Sequence, residues 1–151
     1  MKTILVALDL SEALNPVLHT SVSLARQLGA RLEVVHVVEP IVTNFPVGAA
    51  MDVIEVAPPM DSMADVQMKS EQLSKRVAPI TAGIDYSAEA IPGIPADEIM
   101  DRAKTIGADF IVLGSHGHGA IYHLFVGSVV TEVLKRSTVP VMVVPIRKSQ
   151  A

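Results

Sequence analysis

The chain has 151 residues, no cysteine, a formal net charge of −4, and 50% hydrophobic against 19% charged residues. That is enough apolar material for one domain with a real core, and it excludes disulfide scaffolding and thiolate chemistry. Tryptophan is absent, aromatics reach only 3% and no Lys/Arg cluster stands out, which argues against a nucleic-acid surface, and no apolar run nears the roughly 20 residues of a membrane span.

The first segment, KTILVALD, reads as a strand. Asp9 and Glu12 interrupt its apolar run too early for a secretory signal and no small-residue cleavage site follows, so a cytoplasmic protein is expected. A helix is predicted from Asn15, which can cap it, through Pro16 in its first turn to Leu28, with Gly29 at the position that favours a left-handed residue. RLEVVHVVE, residues 31–39, is the second strand. Residues 40–60 carry four prolines and Gly48 and fit no regular element, so a long loop is expected. A second helix is predicted over Asp61–Ile80, with Pro79 breaking its end. Met51, Met60, Met63 and Met68 read as adaptable packing or a mobile helix face.

DYSAEAIPG, residues 85–93, alternates only partly and is the weakest strand. The third helix begins at Pro95, with Asp97 and Glu98 favourable to its dipole, and ends near Gly107. DFIVLGS, residues 109–115, is a strand, the fourth helix runs from Ser128 to about Arg136, and VPVMVVP, residues 139–145, is the last strand. Strands two, four and five are nearly continuous Val/Ile/Leu, the pattern of parallel strands covered on both faces. Five strands alternating with four helices predict an open α/β sheet with right-handed crossovers in a single domain, residues 1–151.

The fourth strand runs into glycines at 114, 117 and 119, and Gly127-Ser128 precedes the fourth helix. In open parallel sheets, ligands sit beyond the carboxyl ends of strands where the strand order reverses. Ser128 can cap its helix, and amides of 114–117 and 127–130 can hold phosphate without any lysine. Loops between strand and helix also use glycine, so spacing alone leaves both readings open. GxxxxGK[ST] is absent, because no lysine precedes Ser128, and Tyr122 stands where GxGxxG needs glycine.

The pattern Gly114-x2-Gly117-x9-Gly127-Ser128 resembles the signature of the universal stress protein family, in its ATP-binding branch. ILVALDLSE, LEVVHVVE, PGIPADEI and VPVMVVP resemble that family's first strand, second strand, entry to the third helix and last strand, so the resemblance covers nearly the whole chain. It implies the strand order 3-2-1-4-5 and an ATP site. There Asp9 accepts from a ribose hydroxyl, the Val37 backbone meets adenine, and Gly114, Ser115, Gly117, Gly127, Ser128 and Val129 surround the phosphates. Mg²⁺ would arrive with the nucleotide and keep several waters. The resemblance further implies a homodimer joined through Val139–Pro145, an edge strand with no charged residue to blunt it. One departure is local: many members carry Pro or Thr before the Asp, where this chain has Ala7 and Leu8.

Other residues are weighed against plainer roles. His116, His118 and His123 suggest a metal cluster but lack an established ligand spacing, so loop or subunit contacts are expected of them. Ser11 is expected to cap locally. Asp85, Glu89, Asp97, Glu98 and Asp101 are expected on a solvated face, and Ser115-His116 are sequence neighbours without the context of a nucleophile and base. The function expected is that of a small nucleotide-dependent stress-response module with no catalytic residue assigned. The alternatives are a slow ATP hydrolase or phosphotransferase, and a dimeric interaction protein with a vestigial site.

Overall fold

The structure, a computed structural model, describes residues 1–40, 61–115 and 126–146. Its elements alternate as β1 (Thr3–Ala7), α1 (Leu14–Leu28), β2 (Arg31–Val38), α2 (Asp61–Val77), β3 (Tyr86–Pro92), α3 (Pro95–Thr105), β4 (Phe110–Gly114), α4 (Ser128–Arg136) and β5 (Val141–Val144). All strand pairs are parallel and the order is β3-β2-β1-β4-β5, as the resemblance implies. The order reverses between β1 and β4, which pair from Ile4↔Phe110 to Ala7↔Leu113. Of the loop expected at 40–60, residues 41–60, with Met51 and Met60, lie outside the described residues.

Burial on both faces explains the unbroken apolar strands. Ile4, Val6, Leu32, Val34 and Val112 face α1 and α2 and pack with Leu14, Val17, Leu18, Val22, Leu73 and Val77. Leu5, Val35, Ile111 and Leu113 face α3 and α4 and pack with Ile99, Ala103, Val130 and Val133. Ile4, Leu5 and Val6 of the central strand are all fully buried, and burial of such a side chain contributes about 1.5–3 kcal/mol. No helix among the described residues is long and apolar enough to cross a membrane.

One helix start differs from the sequence reading, and at α4, which begins at Ser128 as expected, only the cap differs. Asn15 does not cap α1, because the chain is already turning upstream of it: the Ala13 amide donates to Ser11 Oγ at 3.1 Å and the helix begins at Leu14. Ser11 therefore caps locally, as expected. At α4 the N-cap is Gly127, with φ −59° and ψ 160°, and Ser128 is the first helical residue with no capping hydrogen bond. The Gly127 amide donates to the Ser115 carbonyl at 2.9 Å, which ties the residue before the helix to the one that follows β4. The helix ends follow the reading more closely. Gly29 sits at φ 60° and donates to the Ala25 carbonyl, and α2 stops at Val77, three residues before Ile80, as Pro79 approaches.

Glu33 was not singled out from the sequence. It lies on β2 and is only 4% exposed. The Ser87 hydroxyl and the Arg102 guanidinium donate to its carboxylate, and Arg31 lies 3.4 Å away. Arg102 also pairs with Glu89, so this cluster ties α3 to β2 and β3. The other acids behave nearer to expectation: Asp85 and Asp97 are half-exposed or more and pair with Arg31 and Arg136.

Candidate functional site

Parallel strands all end on the same side, and there the described residues form a cleft of about 550 Å³. Ala7, Leu8 and Asp9 enter it from the end of β1, His36, Val37 and Glu39 from the end of β2, and Leu113 and Gly114 from the end of β4. The N-terminal ends of three helices complete it: Ala13, Leu14 and Val17 on α1, Pro95 and Ile99 on α3, and Gly127 to Val130 at α4. The cleft lies where β1 and β4 diverge, the position that strand-order reversal dictates for a ligand.

The turn after β1 fixes Asp9, which with Glu39 is one of two acids in the described lining. The Ser11 amide donates to Asp9 Oδ1 at 3.2 Å and the Ser11 hydroxyl donates to the same oxygen. Leu8 is held by its own backbone: its amide donates to the Val35 carbonyl, and its carbonyl meets Nδ1 of His36, both at 2.9 Å. A carbonyl only accepts, so this contact places the imidazole proton on Nδ1. On the opposite wall, the first amides of α4 have no intrahelical acceptor, and the helix dipole gives this end positive character. The lining described contains no lysine or arginine, and neither does the sequence 116–125. Among the described lining residues, an anion meets the first amides and dipole of α4 and the Ser128 hydroxyl rather than a lysine or arginine.

Of the residues singled out from the sequence, Asp9, Val37, Gly114, Gly127, Ser128 and Val129 line this one cleft. Gly117 and the three histidines His116, His118 and His123 lie outside the described residues. Ser115 does not line the cleft: its amide donates to the Val144 carbonyl at 2.8 Å and its hydroxyl accepts from the Ile146 amide at 3.0 Å. With the Gly127 amide on the Ser115 carbonyl, the expected free amides of 127–130 narrow to 128–130, the first three of α4. Gly114 has a packing reason as well, since a Cβ there would sit 3.2 Å from the Val17 side chain.

His36 was missed, although one imidazole within VVHVV is a visible signal in the sequence. Among the described residues no group of histidines and acids is arranged to hold a metal ion.

The sequence profile of the universal stress protein family matches residues 1–145. Universal stress protein YxiE of Bacillus subtilis is 32% identical over 144 residues, covering 93% of this chain and 96% of the relative. Universal stress protein MJ0577 of Methanocaldococcus jannaschii is 33% identical over 85 residues, a match that spans 56% of this chain and 51% of the relative. Among solved structures, the universal stress protein from Archaeoglobus fulgidus in complex with dAMP is similar at a TM-score of 0.66 and 26% identity, over 95% of this chain and 98% of that one.

Proposed function

Because the chain belongs to the universal stress protein family, we propose that it binds an adenine nucleotide, ATP, in the cleft between the ends of β1 and β4. In this reading the Asp9 carboxylate accepts from the ribose, the Val37 backbone meets adenine, and the phosphates lie against Gly114, Gly117, Gly127, Ser128 and Val129. Ser115 supports the strand end that carries Gly114. The observation that carries the reading is convergence: Asp9, the end of β4 at Gly114 and the first amides of α4 line a single cleft. Its volume lies within the range of small-molecule sites, and a relative of the same fold is solved with dAMP.

The protein acts as a cytoplasmic stress-response module whose conformation or contacts follow nucleotide occupancy, with Mg²⁺ accompanying the phosphates. Phosphoryl transfer needs cations against developing charge. The absence of Lys and Arg from the described lining favours binding over turnover. Two copies pair through β5, the edge of the sheet, whose Met142 is 37% exposed.

The ribose assignment has a direct test in calorimetry. Asp9→Ala removes a charge-assisted hydrogen bond of roughly 1.5–3 kcal/mol, so ATP affinity falls about tenfold or more. The loss with 2′,3′-dideoxy-ATP is smaller. Equal losses for the two nucleotides would contradict the ribose contact.

A further inference from the structure

We propose that Arg76, which reaches from α2 and does not itself line the cleft, is a positioning residue for the Asp9 turn; the proposal rests on the nucleotide reading above. Arg76 is half-buried near the C-terminal end of α2. Its Nη1 donates to the Leu10 carbonyl at 2.5 Å and its Nη2 to the Ser11 carbonyl at 2.9 Å. The planar guanidinium thus spans two successive carbonyls, a geometry that a lysine ammonium cannot reproduce as a rigid fork.

The next links are covalent and short. Fixing the carbonyls of Leu10 and Ser11 orients the Ser11 residue, whose amide and hydroxyl both donate to Asp9 Oδ1. The Ser11 hydroxyl in turn accepts from the Ala13 amide and starts α1. On the other side, the Leu8 carbonyl is held by His36. The turn from Leu8 to Ser11 is therefore fastened at both ends by side chains of other elements, and the carboxylate proposed to meet the ribose stands between them. Arg76 is 65 residues from Ser11 in sequence, which is why no local pattern announces it.

The test combines two readouts on Arg76→Gln and Arg76→Lys. In amide hydrogen exchange, Arg76→Gln accelerates Ser11 and Ala13 relative to wild type while amides of β4 keep their protection. Unchanged exchange at Ser11 and Ala13 overturns the clamp whether or not ATP binds.

In calorimetry, Arg76→Gln weakens ATP by about tenfold, near the value of one hydrogen bond, and Arg76→Lys recovers part of the loss. In an Asp9→Ala background the same substitution changes affinity by less than about twofold, because coupled sites are non-additive. A tenfold loss in both backgrounds marks a general structural effect and overturns the positioning role. A wild-type protein that binds no ATP, with the exchange effect intact, overturns the nucleotide reading and leaves the clamp of the turn standing.

Discussion

At the scale of single residues, Glu33 shows how a buried charge is kept. Burial by itself would raise its pKa. Hydrogen bonds from Ser87 and Arg102, with the charges of Arg102 and Arg31, outweigh that and hold the carboxyl below its ordinary value. A folded pKa below the unfolded one contributes stability that is present above the unfolded value, about 4.3 for glutamate, and is lost as pH falls through the folded value. Glu33→Gln should therefore cost about 1.5–3 kcal/mol at neutral pH, the range for hydrogen bonds to charged groups. The gap from wild type should narrow as the pH drops below about 4. Urea denaturation at a series of pH values measures it, and a gap that widens in acid contradicts the assignment. The same scale limits what the sequence discloses. A glutamate inside RLEVVHVV is visible, but Arg102, which completes its environment, is 69 residues away. Arg76 stands in the same relation to the Asp9 turn.

At the scale of elements, strands one, two and four were legible because apolar runs buried on both faces need no alternation. β5 was legible from its valines alone, and the expectation that it is covered on both faces fails, since it is an edge strand with only Val144 buried. β3 was weaker because most of its residues are only half-buried, beside β2 at the sheet edge. Helix caps were less legible. Asn15 and Ser128 carry suitable side chains, but the turn built on Ser11 starts α1 at Leu14, and α4, which opens at Ser128 as expected, takes Gly127 as its N-cap. β5 is the other edge, and among the described residues only its β4 side is paired. A lysine there opposes edge pairing. Met142 is a better probe than Val143, which packs partly against the core under α3 and α4. Met142→Lys should shift the protein from dimer to monomer in light scattering at micromolar concentration. A wild type that is already monomeric, or a variant that stays dimeric, contradicts pairing through β5.

At the scale of the whole molecule, the sheet order does what no single motif can. It sets the end of β1 beside that of β4, so Asp9 and Gly114, 105 positions apart in number, face one cleft. The run of strands and helices made an open parallel sheet legible, whereas the order 3-2-1-4-5 came from the family resemblance. The two walls of the cleft are also fastened from behind. Arg102 joins α3 to β2 and β3, and Arg136 on α4 pairs with Asp97 on α3 at 2.6 Å. Whether this cleft is an adenine-nucleotide site is decided by calorimetric titration of ATP into the purified chain, freed of co-purified nucleotide. Saturable binding of one ATP per chain is expected, with dAMP competing for the same site. No saturable heat up to about 1 mM ATP, where binding is worth only about 4 kcal/mol, would contradict it.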